Sequence, residues 1–255
     1  DESQSDNEHE KWLSMLIAPG SSLGGARPKA NVLDPEGNLW IAKFPSRADS
    51  ADTGAWEMVA HQLARQVGLR LPECRLDKFS KNGSTFLTKR FDRNGNRRIH
   101  FASAMTLLGK TDGADYQDGT SYLDIAKFIM QYGAQPEADL RELWKRIVFS
   151  IAVKNTDDHL RNHGFLLAPQ GWILSPAYDI NPNPDGTGLA INISENDNAL
   201  DFDLARDVAS LFRIDTNTAD SFIRQTEESV QNWRKIADRC ALSRSAQDDM
   251  ASAFD

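Results

Sequence analysis

The sequence predicts a mixed α/β (α+β) chain of two lobes, a small strand-rich one built around one main helix and a larger, mostly helical one. Three observations carry this reading. Short apolar strands dominate before residue 93, a 3.6-residue period dominates after it, and the polar, turn-rich DRNGNRR lies between. The expected organisation is an acidic tail over residues 1–11, a first lobe over 12–93 and a second over 94–255. With 255 residues, 40% of them apolar, and with 12 Phe and 6 Trp, the chain can bury a large core without staples.

The first eleven residues hold five acids and almost nothing apolar, so they read as a solvated tail ending before Trp12. NVLDPEGNLWIAKF reads as two strands joined by the turn from Asp34 to Asn38. ECRLDKFS and STFLTKRF form a second pair, joined through Asn82 and Gly83. Between the pairs, Trp56, Val59, Ala60, Leu63 and Val67 fall at helical spacing, with Gly68 as the stop and Pro72 fixing the exit. In the second lobe, Leu123, Ala126, Ile129 and Met130 mark a helix ending at Gly133. Leu140, Leu143, Trp144, Ile147, Val148 and Ile151 mark another that runs to about Asn155. GFLLA and WILS pair across the turn from Pro169 to Gly171. Phe222, Ile223, Thr226, Val230, Trp233 and Ala237 predict one long carboxy-terminal helix.

Composition excludes several classes. Cys74 and Cys240 are too few and too isolated for a disulfide scaffold or a Cys-rich zinc site, which points to a reducing cytoplasm. No apolar run approaches a membrane span, and the acidic start is the opposite of a signal peptide. A net charge of -8 argues against nucleic acid as the direct partner. The chain opens at Asp1 without a methionine, so it reads as a processed or trimmed portion of a longer protein.

Four segments hold the residue types that phosphoryl transfer needs. In PGSSLGGARPK, Gly20, Gly24 and Gly25 allow backbone N–H groups to surround an anion, although the segment matches neither a Walker loop nor a dinucleotide loop. Lys43 lies within an apolar strand and calls for an anion, which the phosphate oxygens of a nucleotide would supply while Glu57 on the following helix holds the ammonium in place. KNTDDHLRNHG sets Asp157 and Asn162 five apart between a helix and a strand, a layout that can hold a carboxylate near a hydroxyl and an amide oxygen on a metal. SPAYDI puts Asp179 after a strand whose hairpin partner starts beside Asn162, so the two could share Mg²⁺. A rival reading, zinc on His159 and His163, needs a helix that Asn162 and Gly164 disfavour.

Glycine loop, strand lysine, helix glutamate, lobe boundary, acid-plus-asparagine loop and strand-end aspartate follow the order of parts in a protein kinase. There is no HRD before Asp157, and AYD stands where DFG would. The local spellings SSLGGARPK, IAKF, WEMVAHQLARQVGLRLP, TKRFDR, KNTDDHLRNHG, LSPAYDI and LAINIS resemble the HipA-like family of bacterial toxin serine/threonine kinases, over about Ser21 to Ser194. The resemblance implies a two-lobed protein-kinase-like fold that uses ATP and Mg²⁺. Lys43 would contact the phosphates with Glu57 paired to it, Asp157 would be the catalytic aspartate, and Asn162 and Asp179 would ligand Mg²⁺. Lys89, Arg90 and Phe91 would form the adenine-binding hinge, and the loop carrying Gly24 and Gly25 would be autophosphorylated at Ser22, with Ser21 adjacent. It also implies an aminoacyl-tRNA synthetase as protein substrate and a helix-turn-helix antitoxin as partner.

Three departures stand out. GARPK replaces the usual GAQEK, so Arg27 and Pro28 change the loop's charge and stiffness. HFAS replaces the histidine-plus-acid pattern after the hinge. The family's amino-terminal subdomain is missing, which leaves either a trimmed chain or a shorter branch in which a separate small protein supplies that piece. A nucleotide-binding regulatory pseudokinase and a small-molecule kinase stay open as alternatives.

Overall fold

The computed structural model describes residues 27–80, 83–95 and 97–254. Strands β1 (Lys29–Leu33) and β2 (Leu39–Lys43) pair antiparallel around the expected turn. There Gly37 takes a φ of +81° and the Asp34 carboxylate accepts from the Asn38 N–H at 2.7 Å and from Trp40 Nε1 at 2.9 Å. With β3 (Cys74–Ser80) and β4 (Gly83–Lys89) they make an antiparallel sheet in the order β1-β2-β4-β3. Asn82, assigned to the second turn, lies outside the described residues, as do residues 19–26 of the glycine loop with Ser21, Ser22, Gly24 and Gly25.

Helix α1 (Thr53–Gln66) follows the sequence periodicity. Asp52 caps it by accepting from the Ala55 N–H at 3.2 Å, and Gly68 leaves it at a φ of +77°. Asp52 also accepts from the Ser84 N–H at 3.0 Å and the Ser84 hydroxyl at 2.8 Å, so one carboxylate caps the helix and fastens it to β4.

The polar stretch after Phe91 is a minimal hairpin, β5 (Arg93–Asn94) with β6 (Arg97–Arg98). It leads to β7 (Phe101–Ser103), a strand the sequence pattern does not announce, and to a short α2 (Ala104–Leu107). Helices α3 (Tyr122–Tyr132) and α4 (Pro136–Ala152) form the centre of the second lobe. Helix α4 stops short of Asn155 because Lys154 turns into the left-handed region, at φ +46°. β8 (Gly164–Ala168) and β9 (Gly171–Leu174) make the expected hairpin, which β7 extends into a three-stranded sheet.

The carboxy-terminal region, after α5 (Phe202–Val208), departs from expectation. The single long helix is two, α6 (Thr216–Val230) and α7 (Trp233–Arg239), followed by α8 (Arg244–Met250). Asn232 breaks it: its side-chain amide donates to Glu228 O at 3.0 Å and its carbonyl accepts from the Lys235 N–H, which restarts the helix in a new direction. The redirected segment reaches α1. Trp233 stacks on Phe254 with centroids 4.7 Å apart, and both rings lie within about 6 Å of Trp56. One buried core thus runs from α1 through α3 and α4 to α6 and α7. No helix among the described residues is long and apolar enough to cross a membrane.

Where α1 meets the sheet there is no spare room. A Cβ on Gly54 would come to 2.4 Å from the Ser84 carbonyl oxygen, a backbone atom that cannot step aside. Gly54→Ala should destabilise the fold by about 1–3 kcal/mol, read as a lower urea midpoint with an unchanged slope.

Candidate active site

Between the four-stranded sheet and the helical lobe lies a cleft of about 690 Å³. Lys43 ends β2 inside it, and its ammonium donates to Glu57 Oε1 at 2.6 Å and to Asp179 Oδ1 at 2.7 Å. A strand, the helix that follows it and a segment 136 residues beyond Lys43 therefore meet on one cation. Glu57 faces inward because it shares the buried side of α1 with Trp56 and Ala60. Burial weakens the Lys43 ammonium, but the Glu57 and Asp179 carboxylates outweigh it and hold its pKa above the ordinary lysine value. Burial raises the Glu57 carboxyl, Asp179 adds to that, and Lys43 only partly offsets it. Asp179 goes the other way: burial opposes ionisation, yet Lys43 brings its pKa down to about 2.

Asp179 reaches Lys43 through an unusual backbone. Its φ is +60°, a region that Asp tolerates better than most side chains. The approach is clamped on both sides, by Arg146 donating to Ser175 O at 2.6 Å and the Ala177 N–H donating to Arg70 O at 2.8 Å. Beyond it, Asn181 donates through its amide to Asp179 Oδ1 at 3.2 Å. Its backbone N–H donates to the side chain of buried Asn155 at 3.0 Å. Asn155 sits in the loop after α4, so that loop and the Asp179 turn are tied together. The spacing of the motifs gives no hint of this tie.

The loop after α4 separates two adjacent aspartates. Asp158 turns inward and accepts from Tyr122 Oη at 2.6 Å and Ser150 Oγ at 3.3 Å, with His163 Nε2 3.1 Å away. Burial raises its pKa, but His163 and these hydroxyls outweigh that and keep it below the usual carboxylate range. Asp157 turns outward, its side chain 88% exposed at the cleft wall. Its carbonyl accepts from Asn162 Nδ2 at 2.9 Å, which leaves the Asn162 amide oxygen as the free end. With His163 held by Asp158 and His159 beside Asp157, the two imidazoles do not converge on a zinc position.

The cleft brings Lys43, Glu57, Asp157, Asn162 and Asp179 together. The segment Lys89, Arg90 and Phe91, expected from the sequence as a hinge, also lines it, with two of its backbone donors already committed: the Lys89 N–H to Glu73 O at 2.8 Å and the Arg90 N–H to Leu39 O at 2.9 Å. The Arg90 side chain forks onto Asp92, at 2.8 and 2.6 Å. Phe91, Phe101 and Tyr178 form an aromatic wall, with centroids 5.7–6.4 Å apart. Tyr178 is held by its hydroxyl donating to Arg161 O at 2.6 Å. Phe101 and Tyr178 lie in the quoted segments HFAS and SPAYDI, but neither drew a role from the sequence. Arg27, a departure noted in the sequence, forks onto Asp49 at 2.8 and 3.0 Å and donates to Thr53 Oγ1 at 2.8 Å, which fixes the chain where it enters β1.

The donor set suits Mg²⁺. Asp179 supplies an ionised carboxylate and Asn162 an amide oxygen whose nitrogen is already used, both hard oxygen donors of the kind that ion prefers.

Comparison with known proteins defines the class first. The fold is protein-kinase-like. A structure of the Shewanella oneidensis MR-1 toxin-antitoxin system HipA, HipB and operator DNA superposes with a TM-score of 0.71 at 18% identity, over 98% of this chain and 68% of that one. The Helicobacter pylori proinflammatory kinase CtkA superposes with a TM-score of 0.55 at 15% identity, over 88% of this chain and 94% of that one. The family follows from sequence: residues 21–234 match the HipA-like C-terminal domain, and the chain belongs to that family. A Haemophilus influenzae protein named “Putative kinase” is 29% identical over 65% of this chain, and Toxin YjjJ of Escherichia coli is 24% identical over 87% of it. The chain spans 54% of the length of each of these two relatives.

The Asp179 carboxylate gives a direct test of the ion pair. Its pKa is depressed from 3.8 to about 2, so its contribution to stability is present above pH 4 and is lost as pH falls through 2. Urea midpoints of the wild type and Asp179→Asn should differ by a constant amount above pH 4 and converge toward pH 2. A gap that does not depend on pH would mean that the charge on Asp179 is not what stabilises the fold.

Proposed function

We propose that this protein is an ATP-dependent serine/threonine protein kinase, with the strand-rich residues 12–93 as its amino-terminal lobe and residues 94–255 as its carboxy-terminal lobe. The observation that carries the reading is the convergence of Glu57 and Asp179 on Lys43 in a cleft that also holds Asp157 and Asn162. This is the arrangement that phosphoryl transfer needs, in which positioning and charge do most of the work.

In this reading Lys43, held in place by Glu57, binds the phosphate oxygens of ATP. The base lies against Phe91, Phe101 and Tyr178, and with the Lys89 and Arg90 N–H groups taken up in the sheet, hinge recognition falls to the remaining backbone groups. Asn162 and Asp179 would hold Mg²⁺, which supplies neutralisation of phosphate charge when bound. Asp157, exposed at the cleft wall, orients a protein hydroxyl and accepts its proton. The hydroxyl oxygen bonds to the γ-phosphorus as the bond to the β,γ-bridging oxygen breaks, and ADP leaves with that electron pair. Asp158 acts by holding its loop through Tyr122 and Ser150.

Family membership, together with HipA's capture in complex with HipB and operator DNA, supports a toxin role with an antitoxin of helix-turn-helix type as partner in the cytoplasm. We extend the reading to an aminoacyl-tRNA synthetase as substrate and to autophosphorylation of the loop at Ser22 or Ser21.

Asp157→Ala should lower turnover by about 10²- to 10⁴-fold with ATP binding largely retained. After phosphatase treatment and incubation with Mg-ATP, tandem mass mapping should find phosphate on Ser22 or Ser21 in the wild type and not in Asp157→Ala. ATP turnover stimulated only by a small alcohol would replace the protein kinase with a small-molecule kinase. ATP binding without any turnover would make it a regulatory pseudokinase.

A further inference from the structure

A second group of reactive side chains lies behind the cleft and takes no part in the chemistry above. Met58 and His61 are three residues apart on α1, and Cys74 opens β3 against them. Cys74 Sγ is 3.1 Å from His61 Nδ1 and 3.8 Å from Met58 Sδ. On its other side, His61 Nε2 lies 3.0 Å from the Pro72 carbonyl oxygen. A carbonyl only accepts, so Nε2 carries the hydrogen and Nδ1 presents its lone pair to the thiol. A histidine whose second nitrogen is fixed on a backbone carbonyl is oriented as metal-ligating histidines are.

We propose that Met58, His61 and Cys74 form a binding site for one copper(I) ion. Thioether, imidazole and thiolate are all soft or borderline donors, the set that selects Cu(I) over Mg²⁺ or Ca²⁺. The spans of 3.1 and 3.8 Å are short enough for an ion bound to Cys74 to reach His61 and Met58 in turn at about 2.0–2.3 Å, the range of metal bonds to nitrogen and sulfur. Charge decides between Cu(I) and Zn²⁺. Only Cys74 can ionise, so its thiolate neutralises a monovalent ion, whereas a divalent one would leave net charge beside two side chains that are only 5–6% exposed. Binding exchanges the thiol proton for the metal: the S–H bond breaks, the proton passes to solvent, and the sulfur lone pair forms the copper bond with no change of oxidation state.

Without metal the group is a neutral pair. Burial brings His61 down to about 4 and pushes the Cys74 thiol up to about 12. Neutral imidazole is the ligating form, and the ion has to displace the proton only from sulfur. Access is open on the cleft side, where His61 and Pro72 line the wall, and Cys74 is half-buried. The site also touches the cleft's charged centre. His61 packs on Phe86 at 6.1 Å, Phe86 lies 5.8 Å from the Lys43 ammonium, and Glu57 is one helical turn before His61.

The test is anaerobic competition for Cu(I) against bathocuproine disulfonate with the full chain, comparing the wild type with Met58→Leu, Cys74→Ser and Cys240→Ser. The expected result is one ion per chain, an affinity loss of at least about 10- to 100-fold in the first two variants, and wild-type affinity in Cys240→Ser. X-ray absorption of the loaded wild type should show two sulfur scatterers and one nitrogen, a readout that stands even if a variant folds poorly. No retained copper, an affinity governed by Cys240, or a copper shell without two sulfurs would overturn the proposal. None of these readouts depends on kinase activity.

Discussion

A single buried ammonium organises this molecule. Lys43 ends a strand, Glu57 stands on the next helix and Asp179 follows the last strand of the three-stranded sheet, and the three meet within 2.7 Å contacts. A charge in such a place is costly unless its neighbours are held for it, because removing Lys43 leaves two carboxylates facing each other without a cation. The surrounding structure supplies that holding. Asp52 fastens α1 to β4, Arg146 and Arg70 clamp the approach to Asp179, and Asn155 with Asn181 ties the turn to the Asp157 loop. The cleft is thus preorganised by bonds made in its wall and behind it.

Much of this could be read in the sequence, for identifiable reasons. The helix through Trp56 and Leu63 was legible because its apolar face repeats cleanly and Gly68 ends it; the hairpins were legible from their turn residues. The Lys43–Glu57 contact followed from a lysine in an apolar strand next to a helix, a local argument. The contact to Asp179 is different: it spans 136 residues and depends on a left-handed backbone at Asp179 itself, which no periodicity encodes. The same applies to Phe101, whose strand is three residues long, and to Asn181, which looks like an ordinary turn residue until its two partners are seen.

One misreading and one ambiguity have equally physical causes. An apolar stripe from Phe222 to Ala237 keeps helical spacing across Asn232, so periodicity alone cannot see that the Asn side chain competes with the backbone and turns the chain. The pair Asp157 and Asp158 poses a related problem. Two adjacent carboxylates are equivalent on paper, and only the fold sends one into a hydroxyl and imidazole cage and leaves the other in the cleft.

The break at Asn232 matters for more than the helix count. By turning the chain it brings Trp233 and Phe254 against Trp56, the residue next to Glu57. Helix α1 is consequently enclosed, with β4 on one side and an aromatic plug on the other, and even Gly54 has no slack. A helix so enclosed cannot pivot outward as a rigid body without opening the core. The Glu57–Lys43 contact is therefore tied to the packing of the whole helix, so that loosening it means loosening the aromatic plug as well.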